Sequence, residues 1–375
     1  MQDDLNGVLV VSLEQAVAAP YASSRLADAG ARVIKIERPE GDFARNYDTM
    51  VKGESAYFVW LNRGKESLCL DLREKDDRAL LLRMIARADV FIENLKPGTL
   101  AKFGVELDAL CDEHNGLIAC SISGFGEEGP YSKLKAYDLI VQGEAGLCAI
   151  TGTAHGPARV GVSVCDIAAG MTAHAAILQA LFRREREGHG RRIRVSLFDA
   201  LADWMNVPFL QYAYGGYQNQ RSGVNHPSIA PYGAFPTGEG KQVIFSVQNQ
   251  REWYAFCEHV MGDAALAEDP LFKTNMERLD NRSELESRVR ARFSELRIAS
   301  AMELLERSGI AYGRLNSIAE LAEHPHLRRL TVNTDAGEVH VIAPGALYGD
   351  SASERVPTVP SIGAQSAEMR EEFSE

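Results

Sequence analysis

The sequence has no CxxC pair, no HExxH motif and no apolar run near the roughly 20 residues needed to span a bilayer. Its six cysteines, at positions 69, 111, 120, 148, 165 and 257, have no disulfide-framework spacing, so we predict buried or free thiols in a reducing cytoplasm. The opening MQDDLNG lacks the basic and apolar regions of a signal peptide. Neither a metal site nor a membrane partner is expected.

Positive charge is also scarce: the chain has 40 Lys and Arg and 52 Asp and Glu, which gives a net charge of -12. Such a chain is a poor partner for a phosphate backbone, so nucleic acid is not expected. A local basic pocket on an acidic protein can still hold an anionic small molecule. The length of 375 residues indicates two domains, or one large domain with an insertion.

Hydrophobic periodicity predicts an α/β fold. Residues 7–13 and 31–37 have strand patterns, and residues 23–30 between them have a helical one, which makes a parallel βαβ unit. Further strands are predicted at 68–72, 89–93, 117–123, 191–197 and 241–247, and further helices at 76–87, 166–187 and from 199. Ligands of a doubly wound sheet tend to bind beyond the carboxyl ends of its strands.

The rest of the chain has a different character. Residues 215–240 are rich in Gly, Pro, Asn and Tyr, whereas residues 251–320 are mostly helical in pattern. The tail from 330 has two short strand patterns and many turn residues. We therefore expect a helical second domain and a short return of the chain to the first.

Residues 124–129, GFGEEG, fit the GxGxxG pattern and follow a predicted strand. A dinucleotide site needs a helix to open inside the motif, but Pro130 follows at once and no helical pattern begins before about Ala136. We therefore interpret this segment as a loop that lets the backbone approach some other ligand.

Asp166 precedes a long helical pattern and is predicted to be its N-cap. The helix dipole is expected to keep a carboxylate there ionised, and a positioned carboxylate is a usable nucleophile. The neighbouring Cys165 has no basic partner in sequence and is interpreted as a packing residue.

Two polar sets are candidate binding residues. Several basic residues lie near the ends of predicted strands, where a phosphate-bearing ligand would sit: Arg38, Arg73, Lys96, Lys102 and Lys135. A second set lies in a loop shaped by Gly and Pro and is a candidate substrate loop: Arg221, Asn225, His226 and Tyr232. Each of these residues, taken alone, is more often structural.

In combination these features resemble the CaiB/BaiF family (family III) of CoA transferases over nearly the whole chain. The resemblance rests on LADAGARVIKIERPEGD at 26–42, NRGK at 62–65, LDL at 70–72, ADVFIENLKPG at 88–98, SGFGEEGP at 123–130, AYD at 136–138, and Asp166 ahead of Gly170 and Met171. No single block is decisive, but several in order are highly specific.

The resemblance implies a Rossmann-like large domain built from both chain ends, a smaller middle α+β domain and an interlocked homodimer. On this chain the large domain would comprise 1–200 and 326–375, with a linker at 201–224 and the small domain at 225–325. The expected substrates are acyl-CoA and small carboxylic acids, with CoA as a substrate and no tightly bound cofactor.

The resemblance also implies a chemistry, in which Asp166 forms a mixed anhydride and then an aspartyl-CoA thioester. The implied CoA-contacting positions are Val17, Ala18, Arg38, Leu70, Arg73, Asn94, Leu95, Lys102, Phe103, Lys135 and Tyr137. Some relatives have Gln where this chain has Val17, which argues against an oxalate-type specificity. The members it resembles use succinyl-CoA and C4–C5 dicarboxylates such as mesaconate, itaconate or citramalate.

Three alternatives stay open at this point. An α-methylacyl-CoA racemase of the same fold would need a His before the Asp of a His-Asp pair, where this chain has Tyr137-Asp138. A phenol is a poor base at neutral pH, because its usual pKa is about 10. A silent acyl-CoA-binding protein is disfavoured by the presence of Asp166. Transfer of CoA between the two carboxylates of one substrate cannot be separated from intermolecular transfer by sequence.

Overall fold

The computed structural model describes residues 3–348 and 356–374. The chain divides into two compact units. The first comprises Met1–Leu147, Arg159–Ala213 and Arg328–Glu375, and the second comprises Cys148–Ala158 and Tyr214–Leu327.

The strands are β1 (Leu9–Leu13), β2 (Arg32–Glu37), β3 (Glu66–Cys69), β4 (Val90–Glu93), β5 (Ile118–Ser123), β6 (Gly152–Thr153), β7 (Gly156–Pro157), β8 (Arg192–Ser196), β9 (Tyr232–Pro236), β10 (Gln242–Ser246), β11 (Ala311–Arg314), β12 (Arg329–Thr334) and β13 (Gly337–Ile342). The α-helices are α1 (Ala18–Asp28), α2 (Ala56–Asn62), α3 (Lys75–Arg87), α4 (Leu107–Glu113), α5 (Asp138–Glu144), α6 (Leu147–Ile150), α7 (Val164–Glu187), α8 (Leu197–Trp204), α9 (Asn206–Gly215), α10 (Gln250–Ala255), α11 (Asn275–Asp280), α12 (Arg282–Ser294), α13 (Ile298–Arg307), α14 (Ile318–Ala322) and α15 (Ser366–Glu372).

The first unit contains a six-stranded sheet in the order β3-β2-β1-β4-β5-β8. Every neighbouring pair is parallel, with Leu9 opposite Arg32 on one side of β1 and Val10 opposite Val90 on the other. This is the strand order of a doubly wound sheet, and the connections reverse direction between β1 and β4. The predicted α/β character and parallel sheet are confirmed.

The sheet is covered on both faces, which explains why strands β1, β2, β4 and β5 are buried along almost their whole length. Successive residues of β1 point to opposite faces, so Val10 packs with α1 and α7, whereas Val11 packs with α3 and α15. Both valines are fully buried.

Helix α7 is long and apolar enough, by length and composition, to cross a membrane. This corrects the sequence-based expectation that no such segment exists. Its buried residues include Ala169, Ala173 and Ile177, which pack in the interior with α1 and α8. A Cβ on Gly170 would lie 2.6 Å from the carbonyl oxygen of Ala18, so α1 and α7 touch through their backbones. The apolar composition of α7 is therefore explained by its position in the core of the first unit.

Helices α1 and α9 include residues that were not predicted to be helical, and each has a proline in its first turn. Helix α1 begins at Ala18 rather than near residue 23, and Pro20 lies in its first turn, where a missing N–H costs nothing. The expected linker at 201–224 contains the end of α8 and all of α9, with Pro208 likewise in the first turn of α9.

The second unit has an antiparallel sheet in the order β11-β10-β9 and the helices α10 to α13. Its core is aromatic, with the Phe245 ring stacked on Phe235 and Phe293 at centroid distances of 4.8 and 5.0 Å. The mostly helical pattern predicted for 251–320 is confirmed, apart from the short strand β11.

The chain end belongs to the first unit. The two predicted tail strands are the antiparallel hairpin β12–β13. Helix α15 was not predicted, because its short charged sequence is unremarkable alone. It buries Met369, and Phe373 directly after it, in the same core as β3 and α3.

Candidate active site

A cavity of about 310 Å³ opens beyond the carboxyl ends of β1, β4 and β5 in the first unit. It lies where the strand order reverses, the usual ligand position in such sheets. Its lining residues are Gln15, Ala16, Ala18, Phe43, Tyr47, Asn94, Leu95, Lys96, Pro97, Ile122, Ser123, Gly124, Leu134, Lys135, Ala136, Tyr137, Asp138, Asp166 and Leu197.

Asp166 lies in the cavity wall, but it is not the N-cap of its helix. Helix α7 begins at Val164, with Ser163 as its N-cap, so Asp166 is in the first turn. The Asp138 carboxylate accepts hydrogen bonds from the backbone N–H groups of Cys165 (2.8 Å) and Asp166 (3.4 Å). The expected N-cap role was wrong because a carboxylate from another part of the chain satisfies these donors. The Asp166 carboxylate is therefore not used for capping and is available to a ligand in the cavity.

Burial, and to a smaller extent the negative charge of Asp138, raise the pKa of Asp166 to about 7. This result differs from the expectation that the helix dipole keeps the group ionised. The dipole contributes a fraction of a charge, whereas loss of hydration and a like-charged neighbour both oppose ionisation. Near neutral pH, Asp166 is therefore divided between its carboxylic acid and carboxylate forms.

Asp138 was missed as a site residue, although the Tyr137-Asp138 pair had been noted. Its second carboxylate oxygen accepts from the Gln142 side chain at 2.7 Å, one turn along α5, and Gln142 accepts from the N–H of Val160. The Cys165 thiol donates to the Asp138 carbonyl oxygen at 3.4 Å. Asp138 thus holds the start of α7, and the fully buried Cys165 packs beside it as interpreted.

The glycine-rich segment 124–129 is a loop, and the next helix, α5, begins at Asp138. This agrees with the argument against a dinucleotide site. A Cβ at Gly124 would lie 2.0 Å from the Cβ of Ala136, so only glycine fits where the two loops meet. Glu127 is held by Arg192 at 2.7 Å and Arg194 at 2.6 Å. The loop is therefore anchored to β8.

Buried charges underlie the wall formed by Gln15 and Ala16. Glu14 lies 2.5 Å from the Lys65 ammonium, and Lys35 lies 2.8 Å from Asp42, with all four side chains shielded from solvent. Burial is the largest single effect on Glu14 and raises its pKa, but Lys65 and Lys35 together lower it to about 2. The cluster is a fixed set of charges behind the cavity.

Tyr47 also lines the cavity and was not predicted. Burial raises its pKa to about 12, and the charges of Asp42 and Asp166 act in the same direction. The phenol therefore stays protonated and can donate a hydrogen bond to a ligand. Its ring meets Tyr57 edge-on at a centroid distance of 5.3 Å, which fixes its orientation.

Of the positions implied to contact CoA, five line the cavity: Ala18, Asn94, Leu95, Lys135 and Tyr137. Val17 and Leu70 are buried in the core and do not line the cavity. Arg38 donates to the carbonyl oxygen of Gly41, and Arg73 forms an exposed ion pair with Asp71. Lys102 and Phe103 lie on a 3₁₀ turn at 101–103. Sequence spacing gave no indication that Gln15, Tyr47 and Asp138 would line the same cavity.

The predicted substrate-loop residues lie in the second unit, where each already has partners. Arg221 donates to the carbonyl oxygens of Thr153 (2.9 Å) and Ala149 (3.2 Å), and Asn225 donates to Glu286. The rings of His226 and Tyr232 stack at 5.1 Å.

Comparison with known proteins identifies the family. The model of CoA-transferase family III matches residues 5–366. Succinate–glutarate CoA-transferase of Agrobacterium fabrum is 36% identical over 349 residues, covering 90% of this chain and 87% of that protein. Acetyl-CoA:oxalate CoA-transferase of Acetobacter aceti is 34% identical over 373 residues, covering 98% and 95%. The crystal structure of a CaiB/BaiF family protein from Brucella suis matches all of both chains with a TM-score of 0.86 and 32% identity. This chain therefore belongs to CoA-transferase family III, the CaiB/BaiF family, and is an enzyme of the CoA-transferase class.

Proposed function

We propose that this enzyme moves CoA from succinyl-CoA to a small carboxylic acid, a C4–C5 dicarboxylate, through Asp166. The observation that carries the proposal is a carboxylate in a cavity wall that caps no helix and accepts no hydrogen bond within residues 3–348 and 356–374. Relatives named for succinate and glutarate, and for oxalate, support a dicarboxylic acid as the acceptor.

The reaction then runs as a series of exchanges at one carboxyl group. The Asp166 carboxylate attacks the thioester carbonyl of the donor, the C–S bond breaks, and a mixed anhydride and CoA thiolate form. The thiolate attacks the Asp166 carbonyl and releases the donor acid, leaving an aspartyl-CoA thioester. The acceptor carboxylate repeats these steps in reverse order. No net proton is transferred. Donor and product are both CoA thioesters, so the overall exchange is close to neutral in free energy, and the mixed anhydride is its high-energy intermediate.

Burial of Asp166 serves this chemistry in two ways. A poorly hydrated carboxylate has less solvent to shed when it attacks, and an anhydride in a site with little water is less exposed to hydrolysis. The backbone N–H groups of the loop at Gly124 are suitable oxyanion donors. Lys96, which lines the cavity, and the basic positions implied by the resemblance, Arg38, Arg73, Lys102 and Lys135, are proposed to hold CoA. Arg221, Asn225, His226 and Tyr232 are proposed to contact the acid.

The experiment is to incubate the protein with succinyl-CoA and a panel of free acids and follow CoA exchange by chromatography. We expect new acyl-CoA species that vanish with Asp166→Ala. Deuterium entering the α-position of a 2-methylacyl-CoA, without exchange, would instead establish the racemase. CoA migrating between the carboxylates of one labelled dicarboxylate, without a free acceptor, would show intramolecular transfer.

We also propose that the protein is a cytoplasmic, interlocked homodimer. Large apolar side chains are exposed on α7 and α9, among them Phe182 (67%) and Phe209 (61%). Apolar surface of this extent usually marks an interface. Cys69, Cys111, Cys120, Cys148 and Cys257 carry free thiols, which suits a reducing compartment. Light scattering should give twice the chain mass of 41.1 kDa, and a mass of one chain would overturn the proposal.

A further inference from the structure

Gln15 lines the same cavity as Asp166 and was not singled out by sequence reasoning. It is half-buried, and the hydrogen bonds found for it in the described ranges 3–348 and 356–374 use its backbone and leave its side-chain amide without a partner in the protein. A glutamine amide carries two N–H donors and one acceptor, and the Gln15 amide is open to solvent rather than shielded in the protein interior. An unpaired amide in a cavity wall is available to a ligand.

The backbone of Gln15 is fixed more firmly than a loop requires. Its N–H donates to the Asn94 side-chain oxygen at 2.9 Å, and its carbonyl oxygen accepts from the Asn94 amide at 2.8 Å. Asn94 follows β4, the strand next to β1. The Asn94 side chain uses its oxygen and its NH₂ group to bind the backbone of Gln15. The side-chain amide of Gln15 takes no part in these hydrogen bonds.

The next residue, Ala16, has a left-handed backbone with φ = 63°. That conformation is unfavourable for a residue with a Cβ and persists only where the surroundings enforce it. Here the N–H of Ala16 donates to Asp42 at 3.1 Å, and Asp42 is itself held by Lys35 at 2.8 Å. Both side chains are fully buried. A strained turn held by a buried ion pair directly follows the unpaired amide.

We propose that Gln15 is a specificity-determining residue, whose amide N–H groups donate to the carboxylate of the substrate acid that does not react at Asp166. This inference rests on the proposed function. One carboxylate of a dicarboxylic acid must reach Asp166, so the other needs donors elsewhere in the cavity. The strained turn and the Asn94 contacts fix the position from which the amide reaches it.

The test compares two acids of equal chain length, glutarate and valerate, as acceptors of CoA. We expect Gln15→Met, which keeps the length and removes the amide, to lower the ratio of kcat/KM for glutarate over valerate by about 10- to 100-fold, mainly through KM for glutarate. Gln15→Glu should lower the ratio further, because two like charges would face each other. Gln15→Asn keeps the amide on a shorter side chain and should give an intermediate ratio.

The outcomes separate this inference from the proposed function. If the wild-type protein exchanges no CoA with any acid, the proposed function fails. If it does exchange and the ratio is unchanged in Gln15→Met and Gln15→Glu, the inference fails. An equal rise in KM for every acyl-CoA would place the amide against CoA instead and would also overturn it. Thermal unfolding checks the variants, and Gln15→Asn and Gln15→Glu supply the comparison if Gln15→Met does not fold.

Discussion

Asp166→Asn should lower CoA exchange by at least about a thousandfold and also stabilise the folded protein above pH 7. The loss of activity follows because an amide cannot displace CoA and form the anhydride. The gain in stability follows because the pKa of Asp166 is raised, chiefly by burial and then by Asp138, from 3.8 to about 7. Above pH 7 the folded protein therefore carries the cost of ionising a group that ionises freely in the unfolded chain.

The sign of the pH dependence can be derived directly. Below pH 4 the carboxyl is protonated in both states, so its ionisation costs the fold nothing. Between pH 4 and pH 7 the unfolded state alone ionises, so the free energy of unfolding falls as pH rises. Above pH 7 the folded state carries the full cost, on the order of 2–4 kcal/mol. Asparagine avoids this cost, so the variant should gain stability at pH 8 and almost none at pH 4.

Urea unfolding at pH 4 and pH 8 checks this result, together with exchange assays. Asp112→Asn is a matched control, because Asp112 is an exposed carboxylate on α4; it should change neither activity nor the pH dependence. A loss of stability of Asp166→Asn at both pH values would show that Asp166 is a structural residue. Retained exchange would show that the nucleophile is another group.

Glu14→Gln should destabilise the fold by about 3–5 kcal/mol, the usual cost of leaving a buried charge without its partner. Glu14 accepts from Lys65 (2.5 Å), Ser12 (2.6 Å) and Ser23 (2.5 Å), and its side chain is fully buried. Lys35 lies 3.6 Å away. Removing the negative charge leaves two buried ammonium groups near one another, with Asp42 as the nearest remaining carboxylate.

A double variant tests whether charge balance is the cause. Glu14→Gln with Lys65→Met removes one charge of each sign, so it should be less destabilised than the sum of the two single variants, measured by urea unfolding. Additive losses would contradict the argument. Glu303→Gln breaks an exposed pair with Arg307 and should change stability by less than about 1 kcal/mol.

Much of the first unit could be predicted from sequence, because its elements are recorded in local patterns. Strands β1, β2, β4 and β5 have short strand patterns, and α7 is a long periodic segment followed by the C-cap residue Gly188 with φ = 77°. Local pattern also placed Asp166 at the start of a helix, although it misplaced the N-cap by three positions. The family could be inferred because several such blocks follow one another in order.

The properties that make the site reactive depend on residues distant in sequence. Asp138 caps α7 from 27 positions away, and the same carboxylate helps to raise the pKa of Asp166. Asn94 and Asp42 hold the turn at Gln15 and Ala16 from two other strand ends. Spacing along the chain predicts neither the Asn94–Gln15 contact nor the Asp42–Ala16 contact, because it is the order of the strands in the sheet that brings these strand ends together.

The sequence by itself determined the α/β elements, their order and the position of the candidate nucleophile, since these depend on side-chain periodicity within a few turns of chain. Only the tertiary structure decided which carboxylate caps the helix, which one is free to react, and which buried charges neutralise one another. Those outcomes depend on burial and on distances of a few ångströms between charges, which exist only after the strands have assembled into one sheet.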